Sequence, residues 1–504
     1  MKTRIQLFAH FLILFWLSAF GYTTVAQGVS IDSSFGDNGV FYWRGSNFDA
    51  FSVAIQEDGN IIMNLAQRYY SPPQLRPICW LVRLKPDGTF DMSFGTKNGG
   101  LNAIAFQKDG KLVGAGIYSS LEIQRFNQDL SFDNSFGINS SLVFPSGPLL
   151  YGPDPKDITF QKDGKILVAG IMENAKDDHF GLVRINVNGT IDSTFDIDGI
   201  VQAPHSFAYA TALVVQDDGK ILVAGTTFGK SVDFVLFRFN IDGSIDNKFG
   251  NNGTIYTSFG QNADYGQDIA IQSNGKIIVA GSTQQPGTSG DFALARYHSN
   301  GSLDSTFGVF GKVVSSFRNG NDIATSMILQ KDDKIILYGK SFNSMTGQND
   351  GLIVRYDSIG NIENTLFIPN LNVTSFSGAV ALQNDGKVVV IGNVIKGINA
   401  GNGYLARYIF DNNIPINTSD PKPSEMKISP NPISSQATIQ FDRIFSDATL
   451  SIYNIYGLEV KKFNHLSGST VNFYRDNLPV GLYFIQIKQD NKIIYTNNKI
   501  VITE

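Results

Sequence analysis

The chain has 504 residues, 42% of them apolar and 17% charged, with 50 glycines and 38 phenylalanines. These proportions suit a globular, turn-rich protein and exclude a disordered or membrane-embedded one. A formal charge of −5 argues against nucleic acid as a partner, and a single cysteine, Cys79, excludes a disulfide within the chain.

The first element is "MKTRIQLFAHFLILFWLSAFGYTTVAQ", in which Lys2 and Arg4 precede an apolar run that ends in small residues. That layout predicts a signal peptide over residues 1–26, cleaved between Ala26 and Gln27, rather than a membrane anchor. The mature chain keeps 38 basic against 45 acidic side chains, near −7, and no transmembrane helix is expected in it.

Residues 27–410 are repetitive. The motif Gln-x-Asp-Gly-Lys, loosely kept, has its glutamine at Gln56, Gln107, Gln161, Gln216, Gln272, Gln330 and Gln383, at intervals of 51, 54, 55, 56, 58 and 53 residues. Each period holds four short apolar runs, here named strands a to d: in residues 207–257 they are "FAYATALVVQ", "KILVAG", "DFVLFRFN" and "TIYTSF". Asp-Gly between a and b predicts a tight hairpin, since glycine accepts a positive φ and aspartate caps its own turn. Strand b is apolar at consecutive positions, so both of its faces are expected to be covered. Four antiparallel strands per period predict an all-β, seven-bladed β-propeller rather than a solenoid.

A second marker, Asp-x-x-Phe-Gly, begins at Asp32, Asp91, Asp133, Asp246 and Asp304, with imperfect copies at Asp192 and Glu363. A third is an arginine late in strand c: Arg83, Arg125, Arg184, Arg238, Arg296, Arg355 and Arg407. Six of these arginines are followed eight positions later by the acid of a marker, while Arg407 meets Pro415 and Asp32 has no arginine before it. The two unmatched groups lie at the two ends of the array. They predict a ring closed by the N-terminal strand "GVFYW", with Asp32 and Arg407 within about 8 Å of each other. One arginine and one acid per blade read as a structural clasp, and the marker phenylalanine as a plug between blades. The second copy is short, with 13 residues from Phe94 to Gln107 against 21 from Phe35 to Gln56, so its strand d is expected to be reduced or missing.

In an up-and-down blade the a-to-b and c-to-d turns share one face, and these repeat. The b-to-c and d-to-a connections share the other and range from "AQRYYSPPQLRPICW" to "IMENAKDDHFG". Variable loops on a rigid frame are where recognition resides, which makes Tyr69, Tyr70, Arg76, Asp178, His179 and His205 the binding candidates. A phosphate loop is absent, and the histidines His179, His205, His298 and His465 show neither metal-ligand spacing nor a triad. No cofactor is expected; "FDIDG" and "NIDGSID" carry calcium-like acids without the full loop pattern, and a hairpin role is preferred.

Beyond a polar, Pro-rich linker at 411–425, the segment 426–504 has alternating strands that predict a small β-sandwich. It carries eight basic against six acidic side chains, leaving residues 27–425 near −9.

"RYHSNGSLDSTFG" with "DIAIQSNGKIIVAG" resembles the delta-60 repeat family over roughly residues 31–410. The resemblance implies an exported β-propeller and supplies no catalytic residues. Departures are Asn60 at the first lysine position, Asp333 for glycine, and Leu366 with Phe367 for Phe-Gly. "ISPNPISSQATIQF", "LSIYNIYGLEV" and "NLPVGLYFIQI" resemble the C-terminal sorting domain of the type IX secretion system, type A. The matching positions are Pro430, Asn431 and Pro432, then Asn454 and Gly457, then Leu478, Pro479, Gly481 and Tyr483. That resemblance implies handling by the type IX machinery, passage through the periplasm and across an outer membrane, removal of the domain, and surface attachment or release.

The resulting expectation is a surface or secreted propeller that binds a glycan or a protein. A glycan-degrading enzyme using the variable face is the alternative, and a structural envelope component the third reading.

Overall fold

The computed structural model describes residues 28–503 except 44–47, 68–77, 95, 99–100, 118–120, 145–153, 174–177, 203–207, 229–230, 286–288, 319, 369–370, 373–377, 396–400, 411–425, 455–458 and 490–491. The described strands build seven antiparallel sheets followed by one further sheet. Blade 1 comprises Phe48–Ile55, Ile61–Gln67, Ile78–Leu84 and Thr96–Asn98, and blade 2 Ala103–Phe106, Leu112–Ile117, Leu121–Phe126 and Ser141–Val143. Blade 3 runs Asp154–Phe160, Ile166–Glu173, Asp178–Ile185 and Ile200–Gln202; blade 4, Ala208–Val215, Ile221–Phe228, Val232–Phe239 and Thr254–Thr257. Blade 5 is Asp264–Ile271, Ile277–Thr283, Asp291–Tyr297 and Lys312–Ser315, and blade 6 Asp322–Leu329, Ile335–Asn343, Gln348–Tyr356 and Ile362–Ile368.

Blade 7 is made from both ends of the array. Its strands a, b and c are Val380–Leu382, Val388–Ile395 and Gly401–Phe410, and its strand d is Val40–Trp43, paired from Val40 opposite Ala406 to Trp43 opposite Gly403. Strand a of each blade packs on strand a of the next, from blade 1 through blade 7 and back to blade 1, so these strands surround the axis. The short second copy keeps its strands: blade 1 has a three-residue strand d at Thr96–Asn98, and the shortening falls as much on strand a of blade 2, four residues long.

Strand b shows why the repeat is apolar at consecutive positions. In blade 3, Ile166 and Val168 belong to the core shared with blade 2, whereas Leu167 and Ala169 belong to the core shared with blade 4. Every one of the seven blade interfaces has such a core. The glycine closing "ILVAG" has its own cause. Strand a bulges in five blades, at Ala50/Ser52, Pro155/Asp157, Ala210/Ala212, Gly266/Asp268 and Ala324/Ser326. In blade 4 the bulge brings the Tyr209 carbonyl to 1.8 Å from where a Cβ on Gly225 would stand, so only glycine fits.

Between blades 6 and 7 lies a tyrosine group in which the Tyr404 and Tyr408 hydroxyls bond at 3.1 Å, while the Tyr338 hydroxyl is buried without a partner among the described residues. An orphaned buried hydroxyl costs stability. Tyr338→Phe is therefore expected to raise unfolding stability by about 1 kcal/mol, read as a higher urea midpoint; a lower midpoint would show that the hydroxyl is satisfied in solution.

The C-terminal sheet comprises Met426–Ser429, Gln436–Asn454, Glu459–Tyr474, Gly481–Gln489 and Lys492–Ile502 around one core. The predicted sandwich is here a single rolled sheet. The long strand Gln436–Asn454 pairs with three others, and a parallel bridge from Ile433 to Ile502 draws the two ends together.

Candidate functional site

The repeated charges form one fastening per blade. In blade 3, Arg184 Nε donates to Asp192 Oδ2 at 2.7 Å, Lys165 Nζ donates to the same oxygen at 2.8 Å, and Arg184 Nη1 reaches Gln161 Oε1 at 3.4 Å. Glutamine, lysine, arginine and aspartate of the three markers thus meet at one point, which places the a-to-b and c-to-d turns on one face. Arg184 also donates to the Ile241 carbonyl in the turn of blade 4 and lies over the Phe195 ring, 4.3 Å from its centroid. The lysine of the Gln-x-Asp-Gly-Lys motif is thus a member of the ion cluster.

At the closure, Arg407 Nε donates to Asp32 Oδ2 at 2.8 Å, Lys387 Nζ lies 3.0 Å from that oxygen, and Arg407 Nη1 donates to the Pro86 carbonyl of blade 1 at 2.5 Å. Arg407 sits over Phe35, as Arg238 sits over Phe249. Blade 6 departs from the pattern where its sequence does. Glu363 lies within strand d, 3.0 Å from Arg355 Nε, and Arg355 covers Phe410 of blade 7 instead of a phenylalanine of its own turn.

These acids make stability depend on pH with two signs. Burial pushes the Asp32, Asp133, Asp192 and Asp304 carboxyls up, but the hydroxyl two residues on, the lysine and the arginine outweigh it and hold them well below the usual range. Ser93, against burial and with Arg83, holds Asp91 at about 2. A lowered folded pKa contributes stability that is present above about pH 4 and is lost as pH falls through about 2. At the axis, Asp157 accepts the Leu213 N–H of the next blade at 2.9 Å and Asp268 accepts that of Met327 at 2.6 Å. Burial pushes Asp157 up to about 7 and Asp268 up to about 6. Here the protonated form is favoured in the fold, so stability declines as pH rises from about 4 towards 7. The urea midpoint is expected to fall between pH 5 and pH 8, and the double variant D157N/D268N to flatten that slope; an unchanged slope would contradict the assignment.

The opposite face carries the unequal connections, with one correction. The d-to-a connections "TSFGQNAD" (257–264) and "SSFRNGND" (315–322) repeat each other. In both, the last aspartate accepts the phenylalanine N–H, Asp264 from Phe259 at 2.7 Å and Asp322 from Phe317 at 2.6 Å. The phenylalanine packs on the previous strand c, Phe259 on Phe234 and Phe317 on Phe292. Burial raises both carboxyls, Asp322 to about 6, yet neither residue is exposed at all. Beside them Lys312 donates to the Ser258 carbonyl and Arg318 pairs with Asp350. These acids fasten loops.

Accessible groups on this face include Phe228, 38% exposed, between the rings of Tyr209 and Tyr265 at 4.6 and 6.4 Å. Tyr209 and Tyr265 each stand seven residues before the motif glutamine. That shared position is the sequence signal for this ring group. Of the predicted candidates, Tyr69, Tyr70, Arg76 and His205 lie outside the described residues, as do Ala26 and Gln27. Asp178 and His179 open strand c of blade 3, opposite Glu173 and Met172. The calcium-like acids serve turns: Asp198 accepts the Ile200 N–H and Asp242 that of Ser244. Among the described residues no three metal-ligating side chains stand together, and no helix is long and apolar enough to cross a membrane.

In the C-terminal domain the sorting positions gather about the chain end. Asn431 Oδ1 accepts the Val501 N–H at 2.8 Å, Arg475 donates to the carbonyls of Leu478 and Thr503, and the Tyr483 hydroxyl donates to the Pro479 carbonyl at 2.8 Å. Asn454 pairs with Tyr483 across the sheet; Pro430 and Pro432 follow cis peptide bonds; Gly481 opens its strand; Gly457 lies outside the described residues.

A seven-bladed β-propeller with a separate C-terminal β domain is the class this architecture defines. Residues 81–94, 107–136, 161–195, 216–249 and 272–307 match the model of a domain of unknown function, the DUF5122 beta-propeller, and residues 427–503 match the secretion system C-terminal sorting domain. The chain thus carries DUF5122 propeller repeats and a type IX sorting domain, which marks it for export to the cell surface or beyond. No curated protein matches it. Similar solved structures include PorZ of Porphyromonas gingivalis, a surface component of the type-IX secretion system, at 10% identity and TM-score 0.41, covering 90% of this chain and 59% of that one. This chain therefore spans less than two thirds of PorZ. Others are a protein of unknown function from Dyadobacter fermentans (13%, TM-score 0.44, 74% of this chain and 100% of that one) and the polysaccharide lyase Uly1 (9%, TM-score 0.47, 72% and 90%). None of the three bears on what this chain does.

Proposed function

We propose that this protein is a binding module delivered to the cell exterior, and that its ligand, a glycan or a protein, is held by the b-to-c and d-to-a face. The observation that supports this most is the asymmetry of the two faces. One is tied in blade after blade by the same clasp; the other carries connections of unequal length and accessible rings such as Phe228. The reading is non-enzymatic and needs no cofactor, because the acids with raised carboxyls on that face, Asp264 and Asp322, are wholly buried and bonded to loop N–H groups. Screening the mature chain against immobilised glycans and extracellular proteins should capture a ligand without turnover. Hydrolysis of a glycan that is lost on changing one loop acid would overturn the reading.

Export has its own test. A chain lacking residues 426–504 is expected to accumulate in the periplasm, measured by fractionation, while the full chain leaves the cell; unchanged secretion of the shortened chain would remove the assigned role of the sorting domain.

A further inference from the structure

In blades 4, 5 and 7 the sixth residue of strand b is a neutral acceptor that fastens its blade to strand a of the next, whereas in blades 1, 2 and 3 it is apolar: Ala66, Ile117 and Ile171. In blade 4 Thr226 Oγ1 accepts the Gly266 N–H at 3.0 Å, in blade 5 Ser282 Oγ accepts that of Ala324 at 2.9 Å, and in blade 7 Asn393 Oδ1 accepts that of Ala50 at 3.0 Å. In blade 6 the same position is Lys340, opposite Ile323 in strand a. An ammonium has no lone pair to accept an N–H, so it cannot do this work.

Lys340 is partly buried and makes no hydrogen bond or ion pair among the described residues. Burial alone acts on its ammonium, lowering its pKa, and no carboxylate opposes that. Within blade 6, Asp322 is bonded to the Phe317 N–H and Asp350 to Arg318. A partly desolvated cation without a counter-charge is unfavourable, and the other six blades place a neutral residue at this position. Two residues on, and so on the same side of the strand, Phe342 is 38% exposed at the variable face.

We propose that Lys340 is the anion-recognition residue of the variable face and takes the carboxylate of a uronic-acid-bearing glycan whose ring lies against Phe342. A cation without a counter-charge among the described residues, two positions from an exposed ring, fits a carboxylate-bearing sugar. Densely charged polyanions are opposed by the net charge near −9 of residues 27–425. This assignment rests on the binding reading of that face and adds the ligand class.

The test is calorimetry of the full mature chain with trigalacturonate and with its methyl ester. Wild type should bind the acid, more weakly as salt rises, and K340M should lose about tenfold or more in affinity, the worth of a charge-assisted contact. The ester should bind wild type as poorly as the acid binds K340M. K340M should unfold in urea no earlier than wild type, since it loses an uncompensated charge; earlier unfolding would show that Lys340 supports the fold, against the proposal. Absence of trigalacturonate binding up to millimolar concentration, equal binding by K340M, or equal binding of the ester would each overturn the proposal. A neutral glycan bound on the variable face with K340M unaffected would leave the binding reading standing, whereas trigalacturonate bound at the clasp turns would defeat both.

Discussion

Asp32→Ala is expected to lower the unfolding stability of the propeller by about 3–5 kcal/mol, the usual cost of leaving a buried charge without its partner. Asp32 is 5% exposed and one of its oxygens meets both Arg407 and Lys387. Removing the carboxyl leaves the buried Arg407 without its carboxylate, while Lys387 keeps Asp385 at 3.5 Å. Arg407 and Asp32 stand 375 residues apart, so the clasp reinforces a strand pairing, Val40–Trp43 on Gly403–Ala406, that carries the loop-closure cost of the whole ring. A urea titration checks this, with Asp246→Ala as the comparison, since Asp246 makes the same clasp with Arg238 in the middle of the ring. Both variants should be destabilised, and Asp32→Ala should also show an earlier or broader transition. A midpoint equal to wild type for Asp32→Ala would mean that the N-terminal strand does not close the ring.

The second large effect concerns the plug. Phe195 is wholly buried, lies beneath Arg184, and meets the turn of blade 4, where a Cβ on Gly243 would come within 3.0 Å of its ring. Phe195→Ala empties that space and is expected to cost about 3–5 kcal/mol. Gly243→Ala attacks the contact from the other side: its φ of +92° disfavours any side chain, and the new Cβ would stand 2.8 Å from the Asp196 nitrogen. Ile197, two residues from Phe195 and 85% exposed, supplies the control. Ile197→Ser should leave the urea midpoint within about 0.5 kcal/mol of wild type. Loss of stability in the control but not in Phe195→Ala would reject the plug.

Repetition made the frame readable before any coordinates. Seven glutamines at nearly equal intervals, with one arginine and one acid left over at opposite ends, carried both blade number and closure, because an error in one copy is checked by the others. What stayed illegible had non-local causes. The glycine of "ILVAG" answers to a bulge in the neighbouring strand a, and the lysine of Asp-Gly-Lys answers to an aspartate 27 residues further on in Lys165 and Asp192. Blade 6 was flagged by Leu366 and Phe367, but nothing in its own repeat shows that Phe410 of the next blade covers Arg355.

The site was less legible than the frame for the same reason in reverse. Loops that do not repeat give no second copy to compare, so within the variable connections only residue type marks out Tyr69, Tyr70, Arg76 and His205. The informative signals were departures at repeating positions. Tyr209 and Tyr265 share a place before the glutamine, and Lys340 stands where Thr226, Ser282 and Asn393 stand in other blades.

The division of labour between the two faces is tested most directly by hydrogen exchange of the mature chain with and without the ligand captured in the glycan and protein screen. Protection confined to the b-to-c and d-to-a connections and the ends of the strands that carry them, Phe228 and Phe342 among them, is the predicted result. Protection confined to the turns that hold the clasps, such as 161–165 and 186–192, would contradict the account.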